Sequence, residues 1–177
     1  MIRRVVPLSL LLLLPLAPAG SQTATVSALK GHDNRAPVDV AADRIELQDR
    51  ADRALLSGNV EIRQGDLMLK APRVTVAYTR AGGTEIQRLD ASGGVTVTSP
   101  SETASGQFAI YDFGSRVITM IGGVTVNRNG SKVSGNRLVL DLNSGKASLD
   151  GGGPAGTGTS NGRVSGRFTV PDRPGGK

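Results

Sequence analysis

The phrase SGNVEIRQGDLMLKAPRVTV, beginning at Ser57, returns as IGGVTVNRNGSKVSGNRLVL, beginning at Ile121, with glycines and turn residues in matching places. Gly58, Gly93, Gly122 and Gly151 each follow a short apolar step and are spaced by 35, 29 and 29 residues. A second series, Ala42, Ala71, Gly106, Gly135 and Gly166, runs at 29, 35, 29 and 31. Two markers keeping one step mean repeated supersecondary units, each stacked on the next to bury its apolar face. The longer step falls in TRAGGTEIQR, beginning at Thr79, a Gly-Gly loop where insertion costs little.

Within a unit the hydrophobic period is two. Ile118, Met120, Val124 and Val126 share one parity across Gly122, and Leu138, Leu140 and Leu142 repeat it against Arg137, Val139 and Asp141. Asn-Gly in RNGS at Arg128, and glycine in RQGD, YDFGSR and DLNSGK, supply the turns. No stretch after the first residues spaces apolar side chains as a capped helix does, so the chain is expected to be all-β. Short connections make the layers antiparallel. If two sheets face each other, the inward residues are Val40, Ile45, Leu47, Ala54, Leu56, Val60, Ile62, Leu69, Val74, Val76, Leu89, Val95, Val97, Ala109, Tyr111, Ile118, Met120, Val124, Val126, Val133, Leu138, Leu140 and Leu149. Parity from Phe108 to Phe113 stays open, because Phe108 and Ile110 compete with Tyr111 and Phe113.

The apolar face reads first as a core. Its content favours a slot: only 3% of residues are aromatic and there is no Trp, whereas a dry two-sheet core commonly uses large rings to fill about 10 Å. An elongated apolar slot suits an acyl chain, at about 0.8 kcal/mol per buried methylene.

Arg3 and Arg4, an apolar run from Val5 to Leu16 and Ala17-Pro18-Ala19 make a signal peptide with cleavage after Ala19 or Ala24. That run is short for a membrane span of roughly 20 residues. Removing residues 1–19 takes two of 21 basic residues and lowers the net charge from +6 to +4. The remaining basic residues are scattered, which excludes a nucleic-acid stripe. With no cysteine, an exported chain has no disulfide framework and must rely on burial and hydrogen bonds.

Catalysis and metal binding find little to use. His32 is the one histidine and lies in a leader without alternation, where it reads as a solvated linker residue. DLNSGKAS, beginning at Asp141, lacks the Ser or Thr a phosphate loop needs after Lys146, and Gly152 stands where a calcium loop needs Glu. Asp43, Asp112 and Asp141 recur beside strands, which fits turns better than a pair of catalytic carboxylates. Arg73, Arg88, Arg116, Arg128 and Arg137 could meet phosphates, or form a solvated outer face. No enzyme activity, cofactor or metal is expected.

PVDVAADRIEL, LSGNVEIRQGDLMLKAPRVTV, LDASGGVTVT, VSGNRLVLDLNSGKASL and GRVSGRFTVP resemble the OstA-like family, over residues 37–149 and 163–171. The resemblance implies a twisted β-jelly roll of repeated antiparallel layers, two facing sheets open at the ends. It also implies a periplasmic carrier whose interior shields the acyl chains of lipopolysaccharide and which bridges inner-membrane-anchored and outer-membrane transport proteins of the same fold family. On this reading the groove is lined by Ile45, Leu47, Leu56, Val60, Ile62, Val74, Val76, Val95, Val97, Ile118, Met120, Val124, Val126, Leu138 and Leu140. The expected organisation is a signal peptide at 1–19, a disordered leader at 20–36, the jelly roll at 37–171 and a disordered tail at 172–177. The Gly-rich stretch 150–162 departs from the repeat and reads as a flexible loop.

Unpaired strand edges near 38–47 and 163–170 invite strand addition, and because the ends differ, pairing them is head-to-tail and does not close. Pro37, Pro171 and Pro174 would instead block those edges and keep the chain monomeric. Two alternatives stand beside the carrier: a membrane-anchored relative of the same pathway that keeps its leader, and a structural β-repeat protein with a dry core.

Overall fold

A computed structural model of the chain describes residues 26–27, 32–33, 35–152 and 163–168. The expected signal peptide, most of the leader, residues 153–162 of the Gly-rich stretch and the tail lie outside the described residues. The strands are β1 (Val26–Ser27), β2 (Val38–Ala41), β3 (Arg44–Gln48), β4 (Arg53–Gln64), β5 (Leu67–Thr79), β6 (Glu85–Thr98), β7 (Glu102–Asp112), β8 (Val117–Arg128), β9 (Ser131–Asp141), β10 (Lys146–Asp150) and β11 (Ser165–Arg167), with a 3-10 turn at Asp49–Ala51. All pairings are antiparallel. The sheet order β1-β10-β9-β8-β7-β6-β5-β4-β2 follows the chain from β2 to β10, with β3 also on β4 and β11 also on β9.

Each long strand is interrupted near its middle, and the β5–β6 ladder has a second irregularity between Ala77 and Tyr78. Register shifts lie between Ser57 and Val60, Lys70 and Arg73, Ser92 and Val95, Ser105 and Phe108, and Ile121 and Val124. These are the places of the two marker series, so the 29-residue step counts bulges, and bulges bend strands. Each of β4 to β9 therefore contributes to two walls. Wall I holds β3, β10 and segments 53–57, 73–77, 88–92, 108–112, 117–121 and 137–141. Wall II holds β2, β11 and segments 60–64, 67–71, 95–98, 102–106, 124–128 and 131–135. The two facing sheets expected from sequence are thus halves of one hydrogen-bonded sheet, folded along its bulges. In the first and last layers the fold becomes a break, between β2 and β3 and between β10 and β11.

The bulges also lock neighbouring layers. Gly122 has φ +88°, and a Cβ there would stand 2.9 Å from Gln107 Cβ, so the close approach and the backbone both call for glycine. At the β2–β3 break, Asp43 N–H donates to Gly58 O and Asn59 Nδ2 donates to Asp43 Oδ2, each at 2.9 Å.

Parity fixes what is inside. Ala109 and Tyr111 point inward and are buried, while Phe108, 53% exposed, lies outside, which resolves the open parity. Phe113 packs on Tyr111 with ring centroids 4.0 Å apart. Within the segment expected to be disordered, Val26 and Ser27 pair with Ala147 and Lys146. That pairing places part of the leader beside the last layer rather than the first.

Candidate functional site

The interior is built from rows of cross-strand partners running through the layers. One row on wall I passes Leu47, Ala54, Val76, Leu89, Tyr111, Ile118, Leu140 and Ala147. Its neighbour passes Ile45, Leu56, Val74, Ala91, Ala109, Met120, Leu138 and Leu149. On wall II a row passes Val40, Ile62, Leu69, Val97, Ala104, Val126 and Val133. Adjacent members are one strand spacing apart, about 4.8 Å, and the buried residues of both walls, Val133 excepted, form one core cluster.

The structure brings together the expected groove residues Leu56, Val60, Ile62, Val74, Val76, Val95, Val97, Ile118, Met120, Val124, Val126, Leu138 and Leu140, all buried in that cluster. It does not bury Ile45 and Leu47, which are 49% and 67% exposed, nor Val40. These three were expected inward. They hold the inward parity but stand on β2 and β3, the edge strands of the first layer, where no further strand among the described residues covers them. The slot expected along the axis is also filled in its middle: Ile118, Met120 and Val124 have 0% exposure, so their own neighbours occupy the space between the walls. Apolar surface is open at the β2–β3 end.

The two long rims, where the turns lie, differ in chemistry. On wall I the rim carries Tyr78, Ile86, Tyr111, Phe113 and Leu142, all in or against the core. On wall II it carries Gln64, Ser99 and Glu102, the buried polar side chains among the described residues. Tyr111 Oη donates to Gln64 Oε1 at 2.8 Å and so ties wall I to wall II. Burial pushes the Tyr111 hydroxyl up to about 12, so it stays a donor at physiological pH. Gln64 Nε2 donates in turn to Ala36 O at 3.1 Å. Glu102 pairs across the strands with Arg128; burial raises its carboxyl above the usual range, and the Arg128 charge opposes that rise.

The other residues weighed from sequence have structural places. Asp112 Oδ1 accepts from Ser115 N–H at 2.7 Å and from its hydroxyl at 2.8 Å. Asp141 Oδ1 accepts from the N–H groups of Asn143 and Ser144 at 2.8 and 3.1 Å. Both carboxyls sit below the usual range because of those bonds, and both are turn anchors on wall I. Asp141 to Lys146 is therefore a hairpin turn. Arg88 pairs with Asp90, Arg116 Nη1 donates to Asn143 Oδ1, and Arg73 and Arg137 are exposed. His32 departs from its reading as solvated: it is half-buried near the Gly65 turn, its ring nitrogens enclosed without a hydrogen-bond partner among the described residues. No group of three or more His, Cys, Asp or Glu among the described residues could hold a metal ion.

Sequence reasoning missed the polar rim. The signal was present: two residues beyond Val60 and Ile62 the same parity reaches Gln64, and two before Ala104 it reaches Glu102. Polar residues beside turn glycines and prolines read as turn residues, and their inward direction went unused.

Comparison with known proteins finds the family model described as LptA/(LptD N-terminal domain) LPS transport protein over residues 39–146. An uncharacterized protein of Rhizobium meliloti (strain 1021) is 30% identical over 144 residues, covering 76% of this chain and 77% of its own. Among solved structures, the chain is similar to LptH of Pseudomonas aeruginosa, described as the LptA homologous periplasmic component of the conserved lipopolysaccharide transport device. The TM-score is 0.68 at 18% identity, over 78% of this chain and 99% of that one.

Proposed function

Because this chain belongs to the family of the LptA/(LptD N-terminal domain) LPS transport protein, we propose that it is a periplasmic carrier whose paired walls shield the acyl chains of lipopolysaccharide between the inner and outer membranes. The observation that carries this reading is the set of uninterrupted apolar rows that run through every layer and come to the surface at Val40, Ile45 and Leu47. A hydrocarbon path with an exposed apolar mouth suits a guest that water rejects. Since the middle is filled, the guest enters at the open end and parts the walls as it advances. One continuous sheet bent at bulges supports such opening, because the walls are joined along one side by a bendable spine. The signal peptide at 1–19 would deliver the chain to the periplasm.

Head-to-tail association belongs to the same reading. The rows stop unfinished at β2 and β3, and a second copy or a transport protein of the same fold, adding its last strands there, would cover the three exposed side chains and continue the path. The partners are accordingly an inner-membrane-anchored and an outer-membrane protein with the same layered architecture.

The test is photo-crosslinking in cells from an unnatural residue at Leu47, Val74, Ile118 or Leu138. Lipopolysaccharide should be captured from these positions and not from the outward neighbours Thr75 and Thr119. Equal capture from both parities, or from neither, removes the carrier reading. The zero exposure of Ile118, Met120 and Val124 favours one second reading, a structural β-repeat with a permanently dry core; organic extraction of the purified protein followed by mass spectrometry would then return no lipid.

A further inference from the structure

On the polar rim of wall II the Glu102 carboxyl has an unmet demand. Glu102 is 9% exposed, yet its Oε2 is buried without a hydrogen-bond partner among the described residues. The neighbouring polar groups are engaged elsewhere: Gln64 holds Tyr111 and Ala36, and Ser99 Oγ donates to the Glu102 backbone oxygen at 3.4 Å. Glu102 shares the inward parity of Ala104, two residues on, where the apolar interior begins. An acceptor therefore faces inward at the lip of a hydrocarbon path. A buried polar group left unsatisfied in a native fold calls for an explanation, and a bound ligand group is one.

The chemistry of that partner can be narrowed. A phosphate or carboxylate would bring a second negative charge against a buried carboxylate, which is disfavoured. A cation is already supplied on the adjacent strand by Arg128, the cross-strand neighbour of Glu102. A neutral donor attached to hydrocarbon fits both the acceptor and the apolar surface behind it. We propose that Glu102 Oε2 forms a subsite for a hydroxyl or amide N–H carried on the guest within a few atoms of its acyl chain, so that one rim reads the polar end of an amphiphile while the rows behind it take the tail. The proposal rests on the carrier reading and gives it a substrate chemistry. It also orients the guest, with its polar end at the rim of wall II.

The test uses the purified chain and two probes, methyl tetradecanoate and methyl 3-hydroxytetradecanoate, each displacing the fluorophore N-phenyl-1-naphthylamine. The readout is the ratio of their affinities. The hydroxylated ester should bind about tenfold tighter, the equivalent of about 1.4 kcal/mol. In Glu102→Leu the ratio should fall to within about twofold of one, and Glu102→Gln, which keeps a carbonyl acceptor in place, should retain part of the preference. Glu102→Gln is nearly isosteric, so it carries the comparison if the leucine variant does not fold. A ratio near one in the unaltered chain, as expected if water alone satisfies Oε2, overturns the subsite, and so does a preference that survives both substitutions. In those cases the plain ester still displaces the fluorophore and the carrier reading stands. If neither ester displaces it, the carrier reading falls and the subsite falls with it.

Discussion

Gly122 and Gly123 sit side by side in one bulge and make unequal demands. Both have positive φ, +88° and +59°, but an added Cβ meets Gln107 at 2.9 Å at Gly122 and nothing within 4 Å at Gly123. Gly123→Ala is expected to cost about 1 kcal/mol for its left-handed backbone alone, and Gly122→Ala about 2–3 kcal/mol because the neighbouring layer must also move. Urea unfolding of the two variants measures the difference. At this scale the sequence was informative where side chains alternate and uninformative where they turn. Met120 was placed by parity alone, whereas Tyr111 lay in a stretch whose parity stayed open. Glu102 was not placed, since nothing in a linear reading distinguishes a polar residue that opens a hairpin from one that points into the molecule.

The connecting turns contribute to the molecule's sensitivity to acid. Asp112 and Asp141 hold their turns through bonds that favour the charged carboxylate, so each has a folded value below the ordinary 3.8. A depressed acid contributes its stabilisation fully above the unfolded value and loses it as pH falls through the folded one. The urea midpoint should therefore drop as pH is lowered below about 3.8, and Asp112→Asn combined with Asp141→Asn should flatten that part of the profile. Strands and turns were legible as elements because Asn-Gly and Gly-containing tetrads punctuate a period of two. The central bulges were legible as a repeating glycine, but their meaning was not: a bulge bends a strand only in the company of its neighbours, so a single strand's sequence suggests two sheets where the molecule has one folded sheet.

For the molecule as a whole, the two ends are unlike. The β2–β3 end exposes Val40, Ile45 and Leu47, whereas the far end carries short pieces, β1 on β10 and β11 on β9, and exposes Val164 and Phe168. Ile45→Lys together with Leu47→Lys should leave the fold intact, since both side chains are already in water, and should abolish concentration-dependent association in analytical ultracentrifugation. Association that persists with both lysines in place removes the β2–β3 end as the contact. The layered architecture was readable from two markers keeping one step. The filling of the middle was not, because wall separation depends on twist and on how side chains from distant strands mesh. The rows of equivalent aliphatic residues have a kinetic corollary. On the carrier reading, hydrocarbon displaced along the axis by one strand spacing would meet another set of mostly aliphatic side chains, and the rows themselves would favour neither direction. A carrier of this kind would transmit a push and supply none, so net flow would be driven at its ends.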